Sequence, residues 1–458
     1  QGAVVMAEVE VNLPGRAERY ALPLAGVEDM EGSGPLSSQL ALARLRQGRR
    51  VGYLTDAFAD DRMPAAVLAA LRGGLRLNSD AGEIRFNATS RLADVVMPEG
   101  AEVRRLSAEQ SNSSLIYGEE VVLKIIRRIN PGIHPEAEMT RHLTEAGFAN
   151  IAPLMGEVVR VAPDGTPHTL MLVQGFVRNQ GDGWGWTLDW LGRAIDDAAL
   201  HDETPEDVFA GYQGFAALLG RRLGELHATL ASASRDEAFA PETATEADRA
   251  AWAKGVLEQL DPALDLLARA ELDEADAERA RFVIERRKSL HEAAKRLAQS
   301  AEGALKTRVH GDFHLGQVLV AQGDAVIVDF EGEPARTLEE RRAKGSPLRD
   351  VAGLLRSLDY AAHVGEGNDT VAAAPADRRA ALFARWKQET AAVFLDAYRE
   401  VHAAAPEPWV PAGAEAALLD LFLLEKAAYE IRYEAANRPA WIGVPLRGLV
   451  ELAERMTS

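Results

Sequence analysis

Apolar and polar residues alternate with a period of two at the start of the chain. Residues 4–11 read V-V-M-A-E-V-E-V, residues 12–15 form a turn signal, and residues 19–24 resume the alternation. This pattern predicts an antiparallel hairpin. Residues 64–71 predict a helix. Two short apolar runs, 115–117 and 121–126, flank Gly118-Glu119-Glu120 and predict a second hairpin. The period then lengthens to that of a helix over 133–147, with Pro135 in the first turn and Gly147 as the stop. Another strand is expected to start at 150–151. The run L-M-L-V-Q-G-F-V at 170–177 predicts a buried strand. Beyond residue 178 the pattern is mostly helical. Residues 215–230 carry the 3.6-residue period, with His227 as a core or capping histidine. The highly charged stretch 243–301 predicts a long helical hairpin with a solvated face, and 415–437 a helix stopped by Pro439. Strand character returns at 318–320 and 326–328, around a Gln322-Gly323-Asp324 turn.

That last hairpin is framed by polar residues of a particular kind. Residues 309–319 read V-H-G-D-F-H-L-G-Q-V-L and residues 327–331 read I-V-D-F-E. Asp312 stands five residues before Gln317 and seventeen before Asp329. Phosphoryl transfer from a nucleotide needs one carboxylate facing the attacking hydroxyl. It also needs an amide oxygen and a second carboxylate holding Mg²⁺ on the phosphates. The hairpin brings Gln317 and Asp329 to one end, so Asp312 is the candidate base and Gln317 and Asp329 the candidate metal ligands. Protein kinases carry Asn where this chain has Gln317. His314 either contacts sugar or phosphate or supports the loop. Glu331 is a candidate for a second metal or for the substrate. His310 is expected to support the loop.

A nucleotide kinase also needs a lysine on an upstream strand. Lys124 stands inside V-V-L-K-I-I, where a charge is costly unless paired. Its expected partner is Glu138 on the following helix, with Glu136 as the rival. No G-x-G-x-x-G precedes this strand. In its place Gln110-Ser111-Asn112-Ser113-Ser114 offers either phosphate-binding donors or a plain polar turn. Backbone groups at Gln174, Phe176 and Val177 are placed to meet adenine, unless that run is only a buried strand. Asp350 near the start of a helix either hydrogen-bonds the catalytic loop from behind or is an N-terminal acid favoured by the helix dipole. On the last long helix Glu425, Tyr429, Arg432 and Tyr433 share one face, with Arg438 and Trp441 just beyond. By pattern alone that stripe packs on the core as readily as it binds a ligand.

Longer stretches carry a resemblance. They are S-N-S-S-L-I-Y-G at 111–118, N-P-G-I-H-P-E-A-E at 130–138, D-F-E-G-E-P-A-R at 329–336, S-P-L-R-D-V-A-G-L-L-R-S-L-D-Y-A-A at 346–362 and E-K-A-A-Y-E-I-R-Y-E-A-A-N-R-P at 425–439. With the catalytic loop, they resemble the aminoglycoside phosphotransferase-like kinases and, within them, the maltokinase family. The resemblance covers the chain from about residue 80 onward. It implies an α+β fold class: a bilobal eukaryotic-like kinase fold with an added N-terminal cap and a mostly helical C-terminal lobe. The parts would be residues 1–107 as cap, 108–177 as nucleotide lobe and 178–458 as helical lobe. It further implies ATP and Mg²⁺ as cofactors and phosphorylation of maltose at its anomeric hydroxyl, feeding α-glucan (glycogen) synthesis from trehalose. Tyr429, Tyr433, Arg438 and Trp441 would then contact the sugar. The alternative is a kinase of the same fold for glucosamine or an aminoglycoside, with Glu425, Glu430 and Glu434 receiving the cationic sugar. The family's usual opening motif is missing and residue 1 is Gln. The chain therefore reads as part of a longer polypeptide, with trehalose synthase as fusion or complex partner.

Composition narrows the classes. At 458 residues two or three domains are expected. The absence of cysteine excludes disulfides, thiolate catalysis and cysteine-bound zinc. A net charge of -19 argues against nucleic acid as partner. No apolar run reaches membrane-spanning length and no signal peptide is visible, so a cytoplasmic enzyme without a membrane partner is expected.

Overall fold

The structure is a computed structural model and describes residues 4–28, 35–106, 112–199, 207–366 and 376–457. The chain divides into two compact units, Gln1–Arg178 and Asn179–Ser458.

The first unit is built on two antiparallel sheets. β1 (Val4–Leu13) and β2 (Arg16–Glu28) pair from Val4↔Ala25 to Leu13↔Arg16, so the alternating pattern at the start of the chain does form a hairpin. After α1 (Pro35–Gln39) come β3 (Ala41–Gln47) and β4 (Arg50–Asp56), then α2 (Met63–Arg72). β5 (Arg76–Ser79), β6 (Gly82–Ala88) and β7 (Val103–Arg105) lead to the hairpin of β8 (Asn112–Tyr117) and β9 (Val121–Ile126). β10 (Arg128–Ile129), α3 (Pro135–Glu145), β11 (Leu154–Val161) and β12 (Pro167–Gly175) complete the unit. The smaller sheet has the order β1-β2-β4-β3, with β10 also on β2; the larger has the order β5-β6-β11-β12-β9-β8-β7. One hydrophobic core joins them. Ala21 and Ala25 of β2, Met63 and Leu71 of α2, and Leu115, Ile125 and Met171 of the larger sheet are buried in the same cluster. Each fully buried large aliphatic side chain contributes about 1.5–3 kcal/mol, so the N-terminal strands are held to the larger sheet by its own core. Charges add register: Arg160 of β11 pairs with Glu8 of β1, and Arg127 lies 2.8 Å from Asp56 of β4.

The second unit is mainly helical. α4 (Gly183–Ala199) and α5 (Ala210–Ala231) open it. The charged stretch expected as one helical hairpin is three helices: α6 (Glu246–Leu267), α7 (Glu274–Glu285) and α8 (Arg287–Gln299). Asp273 starts α7 by accepting the Asp276 N–H at 2.8 Å, and the chain bends again at Arg286. Such a cap is a local signal that charge patterning alone does not reveal. Two short strands, β13 (Glu242–Thr243) and β14 (Leu305–Lys306), pair ahead of the polar loop. The hairpin that follows is β15 (Val318–Ala321) with β16 (Asp324–Ile327), in register Val318↔Ile327 to Ala321↔Asp324. Then come α9 (Leu338–Arg342), α10 (Leu348–Glu366), α11 (Ala376–Ala404), α12 (Glu415–Asn437) and α13 (Gly443–Thr457). Among the described residues no helix is long and apolar enough to cross a membrane.

Candidate active site

The loop carrying Asp312 is clamped from below by one carboxylate. Asp350, in the first turn of α10, accepts the backbone N–H of His310 with Oδ2 at 2.8 Å and that of Gly311 with Oδ1 at 2.9 Å. His227 of α5 donates its Nε2–H to Asp350 Oδ2 at 3.1 Å. The other nitrogen, Nδ1, lies 2.9 Å from the Tyr398 hydroxyl, which in turn accepts the Trp409 Nε1–H at 2.7 Å. Every donor finds an acceptor when His227 is neutral with its proton on Nε2, so the network assigns the tautomer. Burial alone pushes the Asp350 carboxyl up. The His227 hydrogen bond, the two imidazoles and the Gly311 N–H outweigh it and hold the group below the usual range. The helix approaches closely because residue 353 is glycine: a Cβ there would stand 2.4 Å from the Phe313 carbonyl oxygen. Gly311 makes the turn before Asp312 at φ 84°.

His310 ties this loop to the next. Its Nε2–H donates to the Val328 carbonyl at 2.9 Å, and Nδ1 receives the Asp312 N–H at 3.4 Å. His314 caps the short turn Leu315–Gln317 by accepting the Gly316 N–H on Nδ1 at 3.0 Å. Burial lowers its pKa and the nearby Asp312 charge only partly opposes this, so it is a neutral acceptor at pH 7. The turn aims Gln317 at Asp329, with Gln317 Nε2 and Asp329 Oδ2 3.1 Å apart. Asp329 adopts φ 64°, an uncommon conformation for a residue with a side chain and one that collects at functional sites. Carboxylate oxygens of Asp329 and Glu331 lie within 4.8 Å of one another. Two carboxylates and an amide at one place form a hard oxygen donor set, and that set fits a divalent cation such as Mg²⁺.

In the first unit Lys124 is buried on β9, which is flanked on both sides by β8 and β12. A snorkelling lysine on an edge strand is thereby excluded. Its Nζ lies 2.8 Å from Glu136 Oε2, and Gln174 Nε2 donates to the other oxygen, Oε1, at 3.2 Å. Lys124 thus pairs with Glu136, the rival of the expected Glu138. Residues two apart on a helix point about 200° apart, and α3 starts at Pro135 with the Glu136 face toward the sheet. Glu136 is 2% exposed, whereas Glu138 is half-buried.

The segments expected to meet nucleotide are placed as follows. Ser111 lies outside the described residues. Asn112, Ser113 and Ser114 belong to β8 rather than to a loop, and the Ser113 hydroxyl accepts the Arg127 Nε–H at 2.9 Å. The strand continues through these polar residues because its neighbour β9 offers a full ladder from Asn112↔Ile126 to Tyr117↔Val121. The Phe176 N–H donates to the Glu120 carbonyl at 2.9 Å, and the Gln174 side chain is committed to Glu136. Val177 follows where the chain leaves β12.

A cavity beside Asp312 lies wholly within the second unit, and Lys426, Tyr429, Glu333, Glu425 and Arg349 line it with the carboxylate. Lys426 Nζ stands 3.2 Å from Asp312 Oδ1. Burial alone would raise the Asp312 pKa; the Lys426 ammonium and the nearby His314 and His310 imidazoles outweigh it and hold the group below its usual range. Glu333 accepts the Arg336 Nε–H at 2.8 Å, and Glu425 lies 2.7 Å from Arg349. Burial and the Glu333 carboxylate together raise the Tyr429 hydroxyl pKa well above its usual value. Of the four residues expected at the sugar, Tyr429 lines this cavity. Tyr433 stacks on Tyr429 with ring centres 6.2 Å apart but is 45% exposed. Arg438 is ion-paired with Glu434 at 2.7 Å and lies over Trp441, which stacks on Tyr360. Arg432 donates to Gln259 at 2.7 Å on the exposed side of the helix. Lys426 and Glu333 were not singled out from sequence. For Lys426 the available signal was its i, i+3 relation to Tyr429.

The chain matches the phosphotransferase enzyme family known as APH over residues 102–383. It is similar to the glucosamine kinase of Streptacidiphilus jiangxiensis, 30% identical over 358 residues that cover 76% of this chain and 73% of that protein. The glucosamine kinase of Mycolicibacterium smegmatis is 27% identical over 360 residues, 78% of this chain and 80% of that protein. Among solved structures, a glucosamine kinase in complex with glucosamine, ADP and inorganic phosphate superposes with a TM-score of 0.67 at 25% identity. That match covers 98% of this chain and 94% of the other. The chain belongs to the APH phosphotransferase enzyme family, with the α+β kinase fold of its members.

Proposed function

We propose that the protein is an ATP-dependent sugar kinase that transfers the γ-phosphoryl group to a sugar hydroxyl. The observation that carries this is the cavity shared by Asp312 and Tyr429, a carboxylate and an aromatic face in one recess within a phosphotransferase family fold. Mg·ATP supplies the phosphoryl group and the metal charge that neutralises it. Gln317, Asp329 and Glu331 would hold the metal. Lys124, fixed by Glu136, meets the phosphate charge, and Asp312 orients the acceptor hydroxyl and takes its proton late in transfer. Most of the rate then comes from positioning and electrostatics.

Glucosamine is the acceptor that the named relatives support. A second reading, maltose at its anomeric hydroxyl with trehalose synthase as neighbour, is favoured by the long sequence motifs and by one observation. Each carboxylate offered to a cationic sugar already has a guanidinium partner: Glu425 with Arg349, Glu430 with Arg356 and Glu434 with Arg438. An ATP-consumption screen over glucosamine, maltose, glucose and kanamycin separates the readings. Turnover greatest with glucosamine supports the first, and turnover greatest with maltose the second. Consumption no greater than that of Asp312→Asn with every sugar would overturn both.

A further inference from the structure

We propose that Lys426 is a positioning residue for the catalytic carboxylate, acting through Asp312; the inference rests on Asp312 being the base of the kinase reading. A carboxylate that must work beside transferring phosphate needs a nearby cation to offset repulsion. The loop itself supplies no lysine or arginine: residues 310–317 read H-G-D-F-H-L-G-Q, and His314 caps the following turn. The cation arrives instead from α12, 114 residues further along the chain, where Lys426 Nζ lies 3.2 Å from Asp312 Oδ1.

Its surroundings favour the ammonium form. Burial lowers the Lys426 pKa, but the charges of Asp312, Glu333 and Glu430 outweigh this and raise it. The ammonium also lies 5.1 Å from the centre of the Tyr429 ring, a cation–π contact that fixes its direction. The groups facing Asp312 are thus Lys426 from α12 and His310 and His314 from its own loop. With Oδ1 held by Lys426, Oδ2 is left to take the acceptor hydroxyl. One rotamer of Asp312 is selected before substrate arrives, which is how a positioned cation lowers the entropic part of the barrier.

The test uses the full chain with Lys426→Met, Lys426→Gln and Lys426→Arg. Turnover, the KM for ATP and for the best acceptor, and the pH profile of kcat/KM are read for each. Met and Gln should lower kcat roughly tenfold or more while the KM for ATP changes by less than about twofold. The acidic limb of the profile should move to higher pH, because Asp312 loses its nearest cation. Arg should restore the position of that limb and most of kcat. Folded Met or Gln variants with unchanged kcat and unchanged acidic limb would overturn the proposal. So would a loss accompanied by a lower melting temperature, an unmoved limb and no rescue by Arg, which would mark a structural role. Asp312→Asn retaining full turnover would instead sink the kinase assignment on which the proposal rests.

Discussion

His227 and Asp350 meet at 3.1 Å with both side chains fully buried, and through this contact two helices hold the backbone of the loop that carries Asp312. A carboxylate that accepts two loop N–H groups and one imidazole N–H is hard to replace. Asp350→Asn keeps the size but removes the charge and leaves at least one donor poorly matched. It should destabilise the fold by about 1.5–3 kcal/mol at neutral pH and lower turnover without a comparable change in the KM for ATP.

The pH dependence of that loss has a definite sign. The folded Asp350 pKa is depressed, so its stabilisation is present above the unfolded value, about 3.9, and is lost as pH falls through the folded value. Melting temperatures of wild type and Asp350→Asn, measured from pH 7 down to pH 3, should differ by a constant amount above about pH 5 and converge below about pH 4. A gap that persists undiminished at the acid end would contradict the assignment of a charged Asp350.

Lys124 and Glu136 should behave as one unit. Lys124→Ala and Glu136→Ala each leave a buried charge without its partner, so each should cut kcat/KM strongly. The double variant should lose much less than the product of the two, with a coupling of about 0.5–3 kcal/mol. A coupling found at Glu138 and absent at Glu136 would reverse the pairing.

Parts of this site were legible in the sequence because they are local. The spacing of Asp312, Gln317 and Asp329 around a hairpin, and Lys124 inside the strand β9, follow from period and turn residues. What escaped depends on three-dimensional packing. Lys426 reaches Asp312 across 114 residues, and His227 reaches Asp350 across 123. Neither distance leaves a mark in local pattern. That Glu136 meets Lys124 depends on which face α3 turns to its sheet, and spacing along the chain does not set that. The Asn112–Ser114 stretch reads as a loop from its polar residues, yet the β9 ladder makes it strand.

Metal dependence should separate two carboxylates that look alike in sequence. Asp329→Asn removes a charge from the donor set with Gln317 and Glu331, so the Mg²⁺ concentration for half-maximal activity should rise, roughly tenfold or more. Asp312→Asn should leave nucleotide binding in the presence of Mg²⁺ near the wild-type value while turnover is lost. Equal weakening of nucleotide binding in both variants would place Asp312 among the ligands.

The acceptor side is tested by two aromatic residues. Tyr429 lines the Asp312 cavity, whereas Trp441 stacks on Tyr360 and carries Arg438. Tyr429→Ala should raise the KM for the sugar roughly tenfold with little change for ATP, and Trp441→Ala should have the smaller effect. The reverse order would move the sugar site toward the end of α12.

We propose that the γ-phosphoryl group of ATP passes to a sugar hydroxyl with Asp312 as the base. Phosphorus NMR of a reaction containing ATP, Mg²⁺ and the acceptor that drives most ATP consumption tests it directly. The wild-type protein should convert the γ-phosphorus signal into that of a sugar phosphate ester, with one ADP formed per ester, and Asp312→Asn should give neither. Release of inorganic phosphate without any sugar ester, or ester formation undiminished in Asp312→Asn, would rule this transfer out.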